Sequence, residues 1–211
     1  MHSYGLLYVI LDSQVIEENN LDIYKLAEEL SLQEVDFFQF RFKNLSDKEA
    51  VEISFKLSKI FHKRKKVFII NDRPDIALVS GADGVHLGEK DFPINLARKV
   101  LKNKKIVGRT IHSYTEFLQV KDEKIDYLSV GPIFSTSLKP ELTSISQEDI
   151  EKILKEAKKT VFAVGGINLK NLKKVLNMGF KNIALCQGLI LSKNLEKIIK
   201  CFKEKLTFKK R

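Results

Sequence analysis

The run Gln39-Phe40-Arg41-Phe42-Lys43 alternates polar and aromatic side chains at every step. Side chains point to opposite faces of a strand in turn, so Phe38, Phe40 and Phe42 share one face while Gln39, Arg41 and Lys43 share the other. Packed under helices, such a strand buries its phenylalanines and turns a doubly cationic row into an enclosed site suited to an anion. A solvated edge of an antiparallel sheet is the competing explanation, and the rest of the chain has to decide between them. Further along stand two carboxylates, Asp72 and Asp91, hard oxygen ligands of the type that hold Mg²⁺. Arg41, Lys43 and Lys139 supply positive charge, with the guanidinium fork matched to phosphate oxygens. Together they suggest a metal-bound pyrophosphate whose developing charge is neutralised as it departs. Taken singly, each aspartate could equally cap a helix, Asp72 ahead of Pro74 and Asp91 ahead of Pro93.

The elements that would position these groups follow from periodicity. Short apolar or β-branched runs alternate eight times with segments of helical spacing. The strands are predicted at Leu6 to Leu11, Phe37 to Phe42, Val67 to Ile70, Gly84 to Leu87, Ile106 to Thr110, Tyr127 to Val130, Val161 to Val164 and Asn182 to Leu185. Helices are predicted at Leu21 to Leu30, Asp47 to His62, Pro74 to Ser80, Ile94 to Leu101, Thr115 to Val120, Gln147 to Lys158, Leu169 to Asn177 and Leu195 to Phe202. Ser46 with Glu49 forms a capping box, Asn168 is placed to cap the helix near Leu169, and Pro93 suits a first helical turn. The pattern predicts an α/β chain forming a single-domain (β/α)8 TIM barrel over residues 1 to 211. An open doubly wound sheet fits less well, because Leu11-Asp12-Ser13 offers no glycine-rich turn after the first strand.

In such a barrel the site lies at the C-terminal ends of the strands. The unusual polar residues fall there: Arg41 and Lys43 after the second strand, Asn71 and Asp72 after the third, His86 and Asp91 on and after the fourth. Thr110 and His112 follow on the fifth, Thr136 and Lys139 after the sixth, and Gly165-Gly166 after the seventh. The glycine pair could let backbone N–H groups approach a second phosphate, or simply make a tight turn. His86 and His112 could be acid/base groups, although one histidine in or after an apolar strand is more often a packed or hydrogen-bonded structural residue, and no Ser/His/Asp or Cys/His arrangement supports covalent catalysis.

Composition narrows the partners. The chain has 211 residues, 44% hydrophobic and 30% charged, which is the make-up of a folded protein. Its +10 net charge comes from lysines spread along helices, without the interleaved aromatics of a nucleic-acid surface, so neither nucleic acid nor membrane is expected as a partner. Two cysteines, Cys186 and Cys201, form no CxxC pair. With no apolar run of membrane-spanning length and no leader-like N-terminus, a cytoplasmic location is expected.

Five stretches in order resemble the thiamine phosphate synthase family: QFRFK at Gln39 to Lys43, INDR at Ile70 to Arg73, ADGVHLGEKD at Ala82 to Asp91, GPIFSTSLK at Gly131 to Lys139 and GGI at Gly165 to Ile167. The resemblance runs from Tyr8 to Leu191. It implies a barrel enzyme that joins 4-amino-5-hydroxymethyl-2-methylpyrimidine diphosphate to hydroxyethylthiazole phosphate, releasing pyrophosphate by a dissociative route. By position it implies Gln39, Arg41, Lys43, Asn71, Thr110 and Lys139 at the pyrimidine diphosphate, with Arg41, Lys43 and Lys139 catalytic, and Asp72 and Asp91 holding Mg²⁺. Thr136, Ser137, Leu138, Gly166, Cys186 and Gln187 take the places that hold the thiazole phosphate. Small-molecule substrates are thus the expected partners, and a homo-oligomer is left open.

Four positions depart from the family pattern. Thr110 replaces a serine and Glu89 a glutamine, while Leu138 and Gln187 stand where threonine and serine are usual. Each hydrogen bond to a charged group lost in this way costs about 1.5–3 kcal/mol, enough to weaken the acceptor substrate. Gly108 to Ser113 also resembles the related thiazole tautomerase branch, which would use His112 as a proton shuttle and need no metal. Retention of Asp72, Asp91, Arg41, Lys43 and Lys139 favours the synthase. A barrel that binds thiamine-related phosphates without turnover is the third reading.

Overall fold

The computed structural model describes residues 4–136, 138 and 140–207. Ser137 and Lys139, assigned above to the two substrates, lie outside the described residues. The strands are β1 Leu7–Asp12, β2 Phe37–Arg41, β3 Val67–Asn71, β4 Gly84–Leu87, β5 Ile106–Ile111, β6 Tyr127–Val130, β7 Thr160–Val164 and β8 Asn182–Leu185. Every neighbouring pair is parallel, and β8 pairs with β1, so the sheet closes in the order β1 to β8. The helices are α1 Ser13–Glu18, α2 Ile23–Ser31, α3 Asp47–Lys63, α4 Pro74–Val79, α5 Ile94–Val100, α6 Tyr114–Val120, α7 Gln147–Glu156, α8 Leu172–Asn177, α9 Gln187–Ile190 and α10 Leu195–Leu206. The expected (β/α)8 barrel is therefore the observed fold.

Each strand divides its side chains between two cores. Outward residues such as Leu7, Val9, Phe38, Phe40, Phe68 and Ile70 join the large cluster under the helices. Inward residues Tyr8, Phe37, Ile69, Tyr127, Phe162 and Ala184 fill the barrel itself. That strand faces are apolar on both sides explains why β3 reads as a continuous hydrophobic run. The aromatic interior is tight: Tyr8, Phe37, Tyr127 and Phe162 meet edge-on or tilted at centroid distances of 5.4–6.0 Å. Gly108 on β5 is required by this packing, because a Cβ there would lie 2.1 Å from the Tyr127 ring.

Local signals account for most boundaries. Ser46 and Glu49 make the reciprocal capping box of α3. Asp22 caps α2 by accepting from the amides of Tyr24 and Lys25, so the helix starts two residues later than its apolar pattern suggests. Three cap assignments are corrected. Asn168 does not cap α8: its Oδ1 accepts from Lys170 in a turn, Asn171 is the residue before the helix, and α8 starts only at Leu172. Asp72 does not cap α4, which is preceded by Arg73 without a side-chain cap. Asp91 does not cap α5, whose N-cap position is held by Pro93.

Candidate active site

The C-terminal ends of the strands surround a cavity of about 450 Å³. Strand alternation puts Asp12, Gln39, Arg41, Asn71, His86, Thr110 and Ser129 on its wall, one or two from each of β1 to β6. The loops add His112, Thr136 and Leu138, and the ends of β7 and β8 add Gly165, Gly166, Asn168, Cys186 and Gln187. Of the described residues expected at the substrates, Gln39, Arg41, Asn71, Thr110, Thr136, Leu138, Gly166, Cys186 and Gln187 all line this one cavity. Gly165 and Gly166 both have positive φ, and a Cβ on Gly166 would lie 2.6 Å from the Ser135 carbonyl oxygen. The glycine pair is thus explained first by the close approach of the β6–α7 loop.

The cationic row of β2 is resolved into two ion pairs. Arg41 is inward and bound to Asp12, its register partner on β1. Asp12 is almost fully buried, at 1% exposure, and also accepts from the amides of Gln14 and Val15 at 3.1 and 3.2 Å, so one carboxylate caps α1 and anchors the guanidinium. Lys43 lies beyond the end of β2 and its Nζ is 2.5 Å from Asp72 Oδ2. Its side chain is 47% exposed, which corrects the expectation of two desolvated cations: only Arg41, at 18%, is enclosed. Lys43, Asp72 and Asp91 sit at the rim next to Asn71 and are not part of the cavity wall.

Asp72 occupies the left-handed region at φ 63°, a strained conformation for a residue other than glycine, in the turn after β3. Burial and the neighbouring Asp91 carboxylate push its pKa up to about 6, against the pull of Lys43. Asp91 Oδ2 accepts from the amide of Gly88 at 2.7 Å, which fixes the loop after β4, and Arg109 donates to the Gly88 carbonyl from β5. Two carboxylates are therefore held side by side, with Lys43 paired to Asp72. Among the described residues no group of three or more His, Cys, Asp or Glu side chains is placed to hold a metal ion.

Three further features were not foreseen. Asp12, the partner of Arg41, gave no signal except its position at a strand end. A buried chain of hydrogen bonds forms the cavity floor: Gln39 Nε2 to the Tyr8 hydroxyl at 2.7 Å, Tyr8 to the Tyr127 hydroxyl at 2.9 Å, Tyr127 to His86 Nδ1 at 2.9 Å, and His86 Nε2 to Thr110 Oγ1 at 2.6 Å. His112 donates from Nδ1 to the Gly131 carbonyl at 2.5 Å, since a carbonyl can only accept, and this leaves Nε2 as an acceptor. Burial pushes the Cys186 thiol up to about 12, so it stays protonated and is no nucleophile at neutral pH.

Fold and site together define a class: parallel (β/α)8 barrels with a polar cavity at the C-terminal mouth, flanked by a carboxylate pair and paired basic residues. The model of the thiamine monophosphate synthase family matches residues 7–189. A thiamine-phosphate synthase of Clostridium acetobutylicum is 37% identical over 190 residues, covering 90% of this chain and 89% of the relative. One from Fusobacterium nucleatum subsp. nucleatum is 36% identical over 193 residues, covering 92% and 93%. Among solved structures, a thiamine phosphate pyrophosphorylase from Pyrococcus furiosus superposes with a TM-score of 0.84 at 29% identity, over 95% of each chain. The chain belongs to the thiamine monophosphate synthase family.

Proposed function

We propose that this chain condenses 4-amino-5-hydroxymethyl-2-methylpyrimidine diphosphate with hydroxyethylthiazole phosphate to thiamine phosphate and pyrophosphate, with Mg²⁺ bound at Asp72 and Asp91. The observation that carries the reading is the contact of Lys43 with Asp72, itself beside Asp91, at the rim of a cavity that also contains Arg41. Burial and the adjacent Asp91 carboxylate raise the Asp72 pKa, and the pair offers hard oxygen donors of the kind that suit Mg²⁺. When bound, the metal would offset negative charge on the diphosphate.

The chain's own groups divide the work. Lys43, half exposed and paired with Asp72 at the rim, is free enough to turn its ammonium toward a phosphate oxygen. Arg41 cannot move as freely, because Asp12 fixes its direction into the cavity. The carbon–oxygen bond to the diphosphate breaks with its electron pair on oxygen, where Arg41 and Lys43 stabilise it. The thiazole nitrogen then gives its lone pair to the pyrimidine methylene carbon, so no protein nucleophile is needed. Cys186 keeps its thiol proton, consistent with a wall that contacts substrate without reacting. No helix among the described residues is long and apolar enough to cross a membrane.

His112 supports a second reading. It lines the same cavity with Nδ1 anchored on Gly131, which leaves Nε2 able to accept a proton, the requirement for a thiazole tautomerase. The test is to mix both substrates with Mg²⁺ and follow thiamine phosphate by mass. Its appearance supports the synthase; its absence, with isomerisation of the thiazole phosphate that vanishes in His112→Ala, supports the tautomerase.

A further inference from the structure

The hydrogen-bond chain under the cavity joins Gln39 on β2 to Thr110 on β5 through three side chains buried in the barrel centre, Tyr8, Tyr127 and His86. Its polarity can be worked out from one end. The Gln39 amide nitrogen donates to the Tyr8 oxygen. Tyr8 is fully buried, so its own hydrogen goes to the Tyr127 oxygen, and the Tyr127 hydrogen goes to His86 Nδ1. His86 then carries its hydrogen on Nε2 and donates it to Thr110 Oγ1. Thr110 keeps its hydroxyl hydrogen for the cavity, and Gln39 keeps its carbonyl oxygen for it. Burial pushes both phenols well above their ordinary range, so neither becomes an acceptor by losing its proton.

We propose that Tyr8, Tyr127 and His86 are positioning residues that lock Gln39 as an acceptor and Thr110 as a donor toward the donor substrate, making the pocket select an aminopyrimidine over a ring with the opposite hydrogen-bond pattern. The proposal rests on the reading of this cavity as a pyrimidine diphosphate site. The chain can run only one way at a time: if His86 carried its hydrogen on Nδ1, Tyr127, Tyr8 and Gln39 would all reverse. A 4-oxopyrimidine presents that reversed pattern, with a carbonyl in place of the amine and a ring N–H in place of the acceptor nitrogen. Space for the relay is built into the barrel, since Gly108, opposite His86 in the β4–β5 register, leaves the room that the Tyr127 ring occupies.

Two measurements decide it. Nitrogen-15 chemical shifts of the wild-type protein identify the His86 tautomer, with the resonance assigned by its change in Tyr127→Phe; a hydrogen on Nε2 is expected, and one on Nδ1 overturns the proposal. The second is the ratio of kcat/KM for the amino substrate to that for its 4-oxo analogue. In Tyr8→Phe and Tyr127→Phe, which keep the rings and lose the hydroxyls, the ratio should fall about tenfold or more, the worth of one hydrogen bond. KM for the thiazole phosphate should be unchanged. An unchanged ratio in correctly folded variants overturns the selectivity claim. Absence of wild-type turnover with the amino substrate would instead overturn the synthase reading, and the relay would then stand or fall on the tautomer.

Discussion

Replacing Asp12 separates two jobs done by a single buried carboxylate. Oδ1 caps α1 and Oδ2 binds Arg41, so Asp12→Asn keeps an acceptor for the helix amides while removing the charge that faces the guanidinium. Asparagine is about as good an N-cap as aspartate. Breaking a fully buried ion pair costs about 3–5 kcal/mol; Arg41 keeps some contact with water at 18% exposure, which brings the expected loss for Asp12→Asn to about 2 kcal/mol. Asp12→Ala also loses the cap, a further cost of about 1 kcal/mol. Urea unfolding should therefore rank wild type, Asn and Ala in that order. In steady-state assays Asp12→Asn should lower kcat/KM for the pyrimidine diphosphate between about tenfold and a hundredfold, because Arg41 loses its fixed aim. Equal stability of the two variants would refute the capping role. Tighter binding of the diphosphate with unchanged kcat would refute the aiming role, showing that Asp12 merely neutralises Arg41.

Lys43→Ala should reduce kcat by about a hundredfold, the usual effect of deleting one charge stabiliser, with little change in melting temperature because the side chain is half exposed. His112→Ala should retain substantial synthase activity in the same assay; loss of activity comparable to that of Lys43→Ala would hand the chemistry to the histidine. Cys186 predicts an alkaline effect: its thiol is raised from 9.0 to about 12 in the folded chain, so the unfolded chain releases that proton first. The contribution is fully present below pH 9 and is lost as pH rises towards 12. The urea midpoint should fall across that window, less steeply in Cys186→Ala, and identical slopes would contradict the assignment.

The barrel was legible because each strand carries its own burial pattern and each long helix its own apolar stripe. β4, β6 and β8 have the predicted limits, and the alternation in β2 correctly places Phe38 and Phe40 outside and Gln39 and Arg41 inside. α1 and α9 were not legible. α9 has only four residues, about one turn, and α1 is held by a cap that belongs to the preceding strand. The site was readable as a set of residues but not as a set of pairs. Arg41 with Asp12 and Lys43 with Asp72 depend on cross-strand register and loop conformation, which no local pattern encodes. The relay under the cavity was hidden for the same reason: Tyr8 and Tyr127 read as ordinary core aromatics until the closed barrel brings their hydroxyls to 2.9 Å.

Pyrophosphate release tests most directly whether the basic residues and the Asp72/Asp91 pair act together on a diphosphate. With both substrates and Mg²⁺, release should match thiamine phosphate formed, stop on addition of EDTA, and drop sharply in Asp91→Asn even when Mg²⁺ is abundant. Undiminished release after complete removal of the metal, or in Asp91→Asn, would contradict the account.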